Sequence, residues 1–272
     1  MHSVDKIISE FDGRIEQVQE LFRDFCESTC IKDLLKGVPC WAIVGGAVRD
    51  NLIAREIAQN VETLSSIWAD LDICIPVAIS EVSGIRYLSR SQRFDIRQNT
   101  FGGTKIIDKE LGCIDLWTWE EPGTHSCTVQ DWRIRISKVD FGINSVAFLF
   151  PQLEIISDKR LYLDLNCREV ERLSPRFLKR HLQPLRALAI VDKLNKNFEE
   201  QFELGVLIQS ELIWLMHEAD ETILNASFAY LKAKLTTGRW SRNLIHHLDI
   251  ASSSLGCSER FSLKLTEIKA NL

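Results

Sequence analysis

The sequence carries eight cysteines but no Cys-x-x-Cys and no paired Cys/His grouping; the closest two, Cys26 and Cys30, have three residues between them. That spacing argues against a structural zinc site. Reduced thiols of a cytoplasmic protein are the simplest expectation. Long apolar runs are missing as well. The most apolar late stretch, "LGVLIQSELIWLM", is interrupted by Gln209 and Glu211 and is too short to span a bilayer, so it reads as a buried helix. The opening "MHSVDKIISEFDGRIEQ" lacks the apolar core of a signal peptide, and its charges recur at helical spacing. No membrane partner is expected. Nor is there an excess of positive charge. Lys and Arg number 33 against 38 Asp and Glu, a net charge of −5, which opposes a uniformly basic nucleic-acid coat but leaves room for a local basic groove. No internal repeat or low-complexity linker divides the chain.

The 272 residues suffice for one large domain or two modest ones. From about 5 to 35, apolar residues such as Ile15, Val18, Phe22 and Phe25 repeat at three and four, predicting a helix. Between about 40 and 165, β-branched and aromatic residues concentrate in short runs: "CWAIVGG", "LDICIPV", "KIIDK", "CIDLWTW", "RIRISKV" and "LYLDL". Each predicts a strand. After about 168 the pattern is helical again. The expectation is an α+β domain over 1–165, a mixed β-sheet flanked by helices, followed by an all-helical domain over 166–272.

Within "AIVGGAVRDNL", a strand-like run meets Gly45 and Gly46 and then a helix-like segment. Paired glycines mark a tight turn. They also permit close approach of an anion to the free N–H groups of a helix start. Asp70 and Asp72, in "ADLDICIPV", fall on one face of a strand at period two. Such a pair is either a solvated strand end or a site whose counter-charge is a divalent ion, with Mg²⁺ favoured by all-oxygen donors. Asp115, in "GCIDLWTWE", sits in another predicted strand. If that strand neighbours the one bearing Asp70, three carboxylates converge, as a two-metal site for nucleotidyl transfer requires.

In order along the chain, "VGGAVRDNL", "DLDI", "VDFGINSVAF" and "QPLRAL" cover roughly residues 40 to 195. This set resembles the motifs of the class II tRNA nucleotidyltransferase (CCA-adding enzyme) and bacterial poly(A) polymerase family, whose head belongs to the DNA polymerase β superfamily. The resemblance implies a nucleotidyltransferase head followed by a helical neck-like domain. Gly45, Gly46 and Arg49 would meet the triphosphate. Asp70, Asp72 and Asp115 would be catalytic and hold two Mg²⁺ ions. Lys138 and Asp140 match the RRD motif, Asp140 at the position that senses the ribose; Asn144 braces the local fold. Arg186 matches the first arginine of the base-reading helix.

Departures accompany the matches. Lys138 and Val139 stand where the family has two arginines. Leu182 and Gln183 replace an acidic pair, and Ala189 and Asp192 replace two further arginines. An amide both donates and accepts where a carboxylate only accepts, so altered base selectivity is expected. An insertion, Arg55 to Trp68, lengthens the link between the glycine pair and Asp70. Arg176, Lys179 and Arg180 lie in a basic stretch that reads either as a phosphate-tracking surface or as a solvated helix face. Trp240 reads as a core residue, with stacking on a base as the alternative.

The combined expectation is transfer of a nucleoside monophosphate from an NTP to an RNA 3′ end, tRNA being the first candidate. The alternatives are nucleotidylation of a protein or small molecule, and a non-catalytic nucleotide-binding module.

Overall fold

The computed structural model describes residues 4–53, 71–99, 103–108, 112–118, 127–173, 180–197 and 201–271. It divides into two units. The first comprises residues 1–139 and 143–166; the second comprises 140–142 and 167–272.

In the first unit, helix α1 (Val4–Ser28) and the short α2 (Ile31–Leu34) precede strand β1 (Trp41–Val44). Helix α3 (Gly46–Ile53) follows at once, and then come β2 (Leu71–Ile75) and α4 (Ser83–Leu88). Strands β3 (Phe94–Gln98), β4 (Thr104–Asp108) and β5 (Gly112–Thr118) form a meander. Helix α5 (Val129–Ile136), strands β6 (Val146–Phe150) and β7 (Glu154–Ser157) and helix α6 (Lys159–Cys167) follow. Among the described residues the seven strands form one sheet in the order β3-β4-β5-β2-β1-β6-β7. Only the β2–β5 contact is parallel, so the sheet is mixed, as expected.

The two faces of the sheet are covered differently. Helix α1 buries Val18, Leu21, Phe22 and Phe25, and Phe22 stacks on Phe148 of β6 with ring centroids 5.3 Å apart. On the opposite face Ala42, Val44, Cys74, Ala147 and Leu149 pack with Trp132 and Ile136 of α5. Small strand residues on that face leave room for the fully buried indole of Trp132.

Two expected strands are helices. "RIRISKV" enters α5, where Thr128 caps the N-terminus, its hydroxyl accepting from the Asp131 N–H and its own N–H donating to the Asp131 carboxylate. Its buried residues Trp132 and Ile136 are four apart, a helical spacing that the alternating Ile residues disguise. "LYLDL" lies in α6, which buries Leu161 and Asp164, three apart. The expectation of reduced thiols fails at one pair: Cys40 and Cys127 form a disulfide with Cα atoms 6.0 Å apart. Their separation of 87 residues hides a pairing that only the sheet and α5 bring about.

The second unit holds α7 (Gln183–Asn197), α8 (Val206–His217), α9 (Glu221–Thr236), α10 (Asn243–Leu255) and α11 (Glu259–Ala270). Their core includes Leu188, Leu215, Phe228, Leu231, Leu248 and Phe261. Asp220 and Ser258 cap α9 and α11 by accepting from the N–H groups of Ile223 and Phe261. Trp240 packs against this core, edge-on to Tyr230 at 5.3 Å. The three residues from 140 to 142 reach this unit by main-chain pairing. Gly142 N–H donates to Glu171 O at 3.0 Å and Leu173 N–H to Asp140 O at 2.8 Å.

Candidate functional site

Strand β1 ends at Val44, and Gly45 turns the chain with φ +68°, a conformation that disfavours any side chain. Its N–H donates to Val146 O at 3.0 Å, and its own C=O accepts from Arg49 N–H at 3.0 Å, closing the first turn of α3. The strand–glycine–helix arrangement read from "AIVGGAVRD" is therefore present. Helix α3 is buried along its length from Ala47 to Ile53. Arg49 is 2% exposed. Its Nε donates to Asp50 Oδ1 at 2.8 Å, and its Nη1 donates to Asn144 Oδ1 at 2.5 Å. The guanidinium thus ties α3 to the turn before β6. Asn144 takes the bracing role expected of it. The guanidinium is committed to Asp50 and Asn144 and is not held as an open fork toward the glycine turn.

The carboxylates meet across the sheet. In the parallel ladder Asp72 of β2 lies opposite Asp115 of β5, so both side chains leave one face. Ile43 lies opposite Ile73, which in the antiparallel register brings Val44 level with Asp72 and the glycine turn one step beyond. Asp70 lies outside the described residues. Among the described residues no group of three or more His, Cys, Asp and Glu side chains is placed to hold a metal ion. Asp72 and Asp115 nonetheless supply hard oxygen donors side by side, which is the donor chemistry Mg²⁺ takes.

Lys105, opposite Asp115 in the β4–β5 ladder, is a site residue the sequence reading missed. Its ammonium pairs with Asp115 Oδ2 and lies 3.1 Å from Cys113 Sγ. Asn99 Nδ2 reaches the other oxygen, Asp115 Oδ1, at 3.4 Å. Asn99 is held in turn by the Gly103 N–H, 2.8 Å from its Oδ1. A Cβ at Gly103 would lie 2.6 Å from Leu116 O, so this close approach requires glycine. At the far end of β4, Arg93 binds buried Asp108 through two bonds of 2.8 Å. Burial and then the Asp108 charge push the nearby Cys30 thiol up to about 12.

The remaining expected residues divide between the units. Lys138 is exposed, just beyond α5. Asp140 belongs to the second unit, where its Oδ2 pairs with Arg186 of α7 at 2.7 Å. Its Oδ1 accepts from the Phe141 N–H at 3.0 Å. Gln183, the first residue of α7, is 1% exposed, whereas the Arg186 side chain is 28% exposed. Arg176 and Lys179 lie outside the described residues, as does the insertion from Arg55 to Trp68. Arg180 falls in the 3₁₀ turn before α7. The other cations of the basic stretch are largely engaged within their unit: Arg172 with Glu211, and Lys196 with Asp192 at 2.8 Å.

No protein-family profile matches the chain, and no curated protein does. Solved structures do match. The likeness is to CCA-adding enzymes. The apo form II of one such enzyme has 16% identity and a TM-score of 0.48, covering 92% of this chain and 55% of that one. A tRNA-processing enzyme with CTP has 19% identity and a TM-score of 0.45, covering 85% of this chain and 52% of that one. The Thermotoga maritima CCA-adding enzyme complexed with tRNA has 16% identity and a TM-score of 0.42, covering 97% and 53%. The chain spans about half the length of these proteins. No helix among the described residues is long and apolar enough to cross a membrane.

Proposed function

We propose that the protein is a metal-dependent nucleotidyltransferase that moves a nucleoside monophosphate from an NTP to a hydroxyl and releases pyrophosphate. One observation carries the reading: the Gly45 turn into α3 stands beside Asp72 and Asp115, which are in register on adjacent strands. Backbone N–H groups at the turn suit phosphate oxygens, and the carboxylates suit the ions that travel with them. Asp70, Asp72 and Asp115 would hold Mg²⁺, which when bound would activate the attacking hydroxyl and steady the leaving group. The chain's own work is positioning. Arg49 and Asn144 fix the turn, and Asp140 and Arg186 form the polar pair at the position that in the resembled family meets ribose and base. Gln183 is buried, so base reading falls to Arg186, and a base choice different from C-then-A follows.

An RNA 3′ end is the first acceptor, in keeping with the tRNA bound by one structural relative. A protein or small-molecule acceptor gains from one observation: Arg172, Arg186 and Lys196 already face acidic partners, which leaves less charge for RNA phosphates.

The test is incorporation of each labelled NTP, with Mg²⁺, into total cellular RNA, with the Asp70→Ala/Asp72→Ala protein as control. Label in a tRNA-sized band that the control lacks is the expected result. Label on protein or a small molecule selects the second acceptor class. NTP binding without transfer to any acceptor overturns the enzymatic reading.

A further inference from the structure

We propose that Trp117 and Arg135 seat the last base of a single-stranded RNA 3′ end, on the side of the carboxylates away from the Gly45 turn. The proposal deepens the reading above and rests on it. Strand register sets the sides. Gly45 lies one step beyond the level of Asp72, whereas Trp117 lies opposite Cys74, two residues the other way. At a rise of roughly 3.3 Å per residue, the glycine turn and Trp117 stand about 10 Å apart along the strands, with Asp72 and Asp115 between them. Side chains alternate along β5, so Trp117 shares the face of Asp115. In phosphoryl transfer the attacking and leaving oxygens stand roughly in line. Pyrophosphate leaving toward the glycine turn therefore requires the acceptor hydroxyl to come from the Trp117 side.

What stands on that side suits an unpaired strand. The guanidinium of Arg135 lies over the Trp117 ring, 4.9 Å from its centroid. The indole is half-buried against the core beneath α5, which anchors it. A planar cation on an anchored ring is a surface on which bases stack whatever their sequence. Lys138 lies one turn further, its N–H donating to Arg135 O at 3.1 Å. Helix α5 runs toward the glycine-turn end of β1: Cys127, before it, is bonded to Cys40 at the start of β1, and Asn144, after it, meets Arg49. A cation serving packing alone closes readily with an acid one helical turn away. Asp131, one turn before Arg135, is instead bonded to Thr128, and no carboxylate among the described residues pairs with Arg135 or Lys138. Both charges are thus open to phosphates, unlike those of Arg172, Arg186 and Lys196.

Binding of a fluorescein-labelled RNA hairpin with an unpaired 3′ tail to the full chain, followed by anisotropy without NTP, tests this independently of turnover. Trp117→Leu is expected to weaken binding at least about tenfold, with NTP affinity within about twofold of the parent. On a hairpin whose last nucleotide is abasic, the parent is expected to bind as weakly as Trp117→Leu, and the substitution then costs nothing further. Arg135→Gln is expected to weaken the base-bearing tail by a similar factor, and Arg135→Lys, which keeps the charge without the plane, to recover only part. An equal loss on base-bearing and abasic tails overturns the proposal, as does parent-like binding by folded Trp117→Leu. A matching loss of NTP affinity marks a structural role and overturns it too, as does a parent that does not bind the hairpin. Should Trp117→Leu fail to fold by circular dichroism, Arg135→Gln read on both hairpins decides. A base-dependent loss in a protein that transfers no nucleotide overturns the proposed function and leaves the seat standing. RNA labelling by the parent, with Trp117→Leu binding and extending the tail equally well, does the reverse.

Discussion

Arg49 shows how a side chain that reads as a ligand contact is used by the fold. The guanidinium sits 2% exposed between Asp50 and Asn144, so its charge is fully committed inside the first unit. Truncation leaves a buried carboxylate short of donors, which costs about 3–5 kcal/mol. Arg49→Ala is therefore expected to lower the urea midpoint strongly, while Arg49→Lys, which keeps charge but loses the fork, falls between. Equal midpoints for Arg49→Ala and the parent would contradict the clamp. At this scale the sequence was legible where identity and local geometry coincide. Gly45 needs φ > 0 and sits where a strand must turn into a helix. Lys105 was legible in principle: the β4–β5 pairing is symmetric about position 110, which sets residue 105 opposite 115. A reading that sought only acids passed it over. The Asp140–Arg186 pair joins residues 46 positions apart and had no local sign beyond membership of two motifs.

Between elements, the reading depended on period. Helices α1 and α9 declare themselves because buried apolar residues keep a three-and-four spacing: Val18, Leu21, Phe22 and Phe25 in the first, Leu224, Phe228, Leu231 and Leu235 in the second. The segment before Lys138 alternates Ile and Arg, a strand pattern, yet Thr128 and Asp131 cap a helix there and Trp132 anchors it to the sheet. Tertiary burial of one indole outweighed the local alternation. The disulfide secures that same contact by joining Cys40, at the start of β1, to Cys127, next to the cap. Closing a loop of this length restricts the unfolded chain by about 4–5 kcal/mol on the chain-entropy account. Reduction with dithiothreitol, or Cys40→Ser with Cys127→Ser, is expected to lower the melting temperature followed by near-ultraviolet circular dichroism. An unchanged melt in reductant would mean that the bridge adds no stability.

Over the whole molecule, the buried apolar side chains among the described residues gather on both faces of the sheet in one unit and among α7 to α11 in the other. Composition and helical periodicity led to an expected change of texture near residue 165. They had no means of showing that residues 140–142 leave the sheet unit to pair with 171–173, since three residues carry no periodicity at all. The excursion has an energetic content: the two main-chain hydrogen bonds that make up the Phe141–Arg172 bridge, and the Asp140–Arg186 pair. A fragment of residues 167–272 is accordingly expected to melt, by far-ultraviolet circular dichroism, below the same helices in the intact chain. Adding a peptide spanning 139–145 is expected to recover part of the difference. Identical melting with and without the rest of the chain would remove any stabilising role for the excursion.

That three-residue excursion also bears on how such a molecule can be inherited. A single recombination at the junction near residue 166 would import a new helical unit but keep the old Asp140, Phe141 and Gly142 to complete it. Arg186 and Asp140 must then be compatible across two ancestries. Exchange of the helical unit is therefore filtered by a splint encoded in the other half, and the two halves descend together more readily than their separate cores would require.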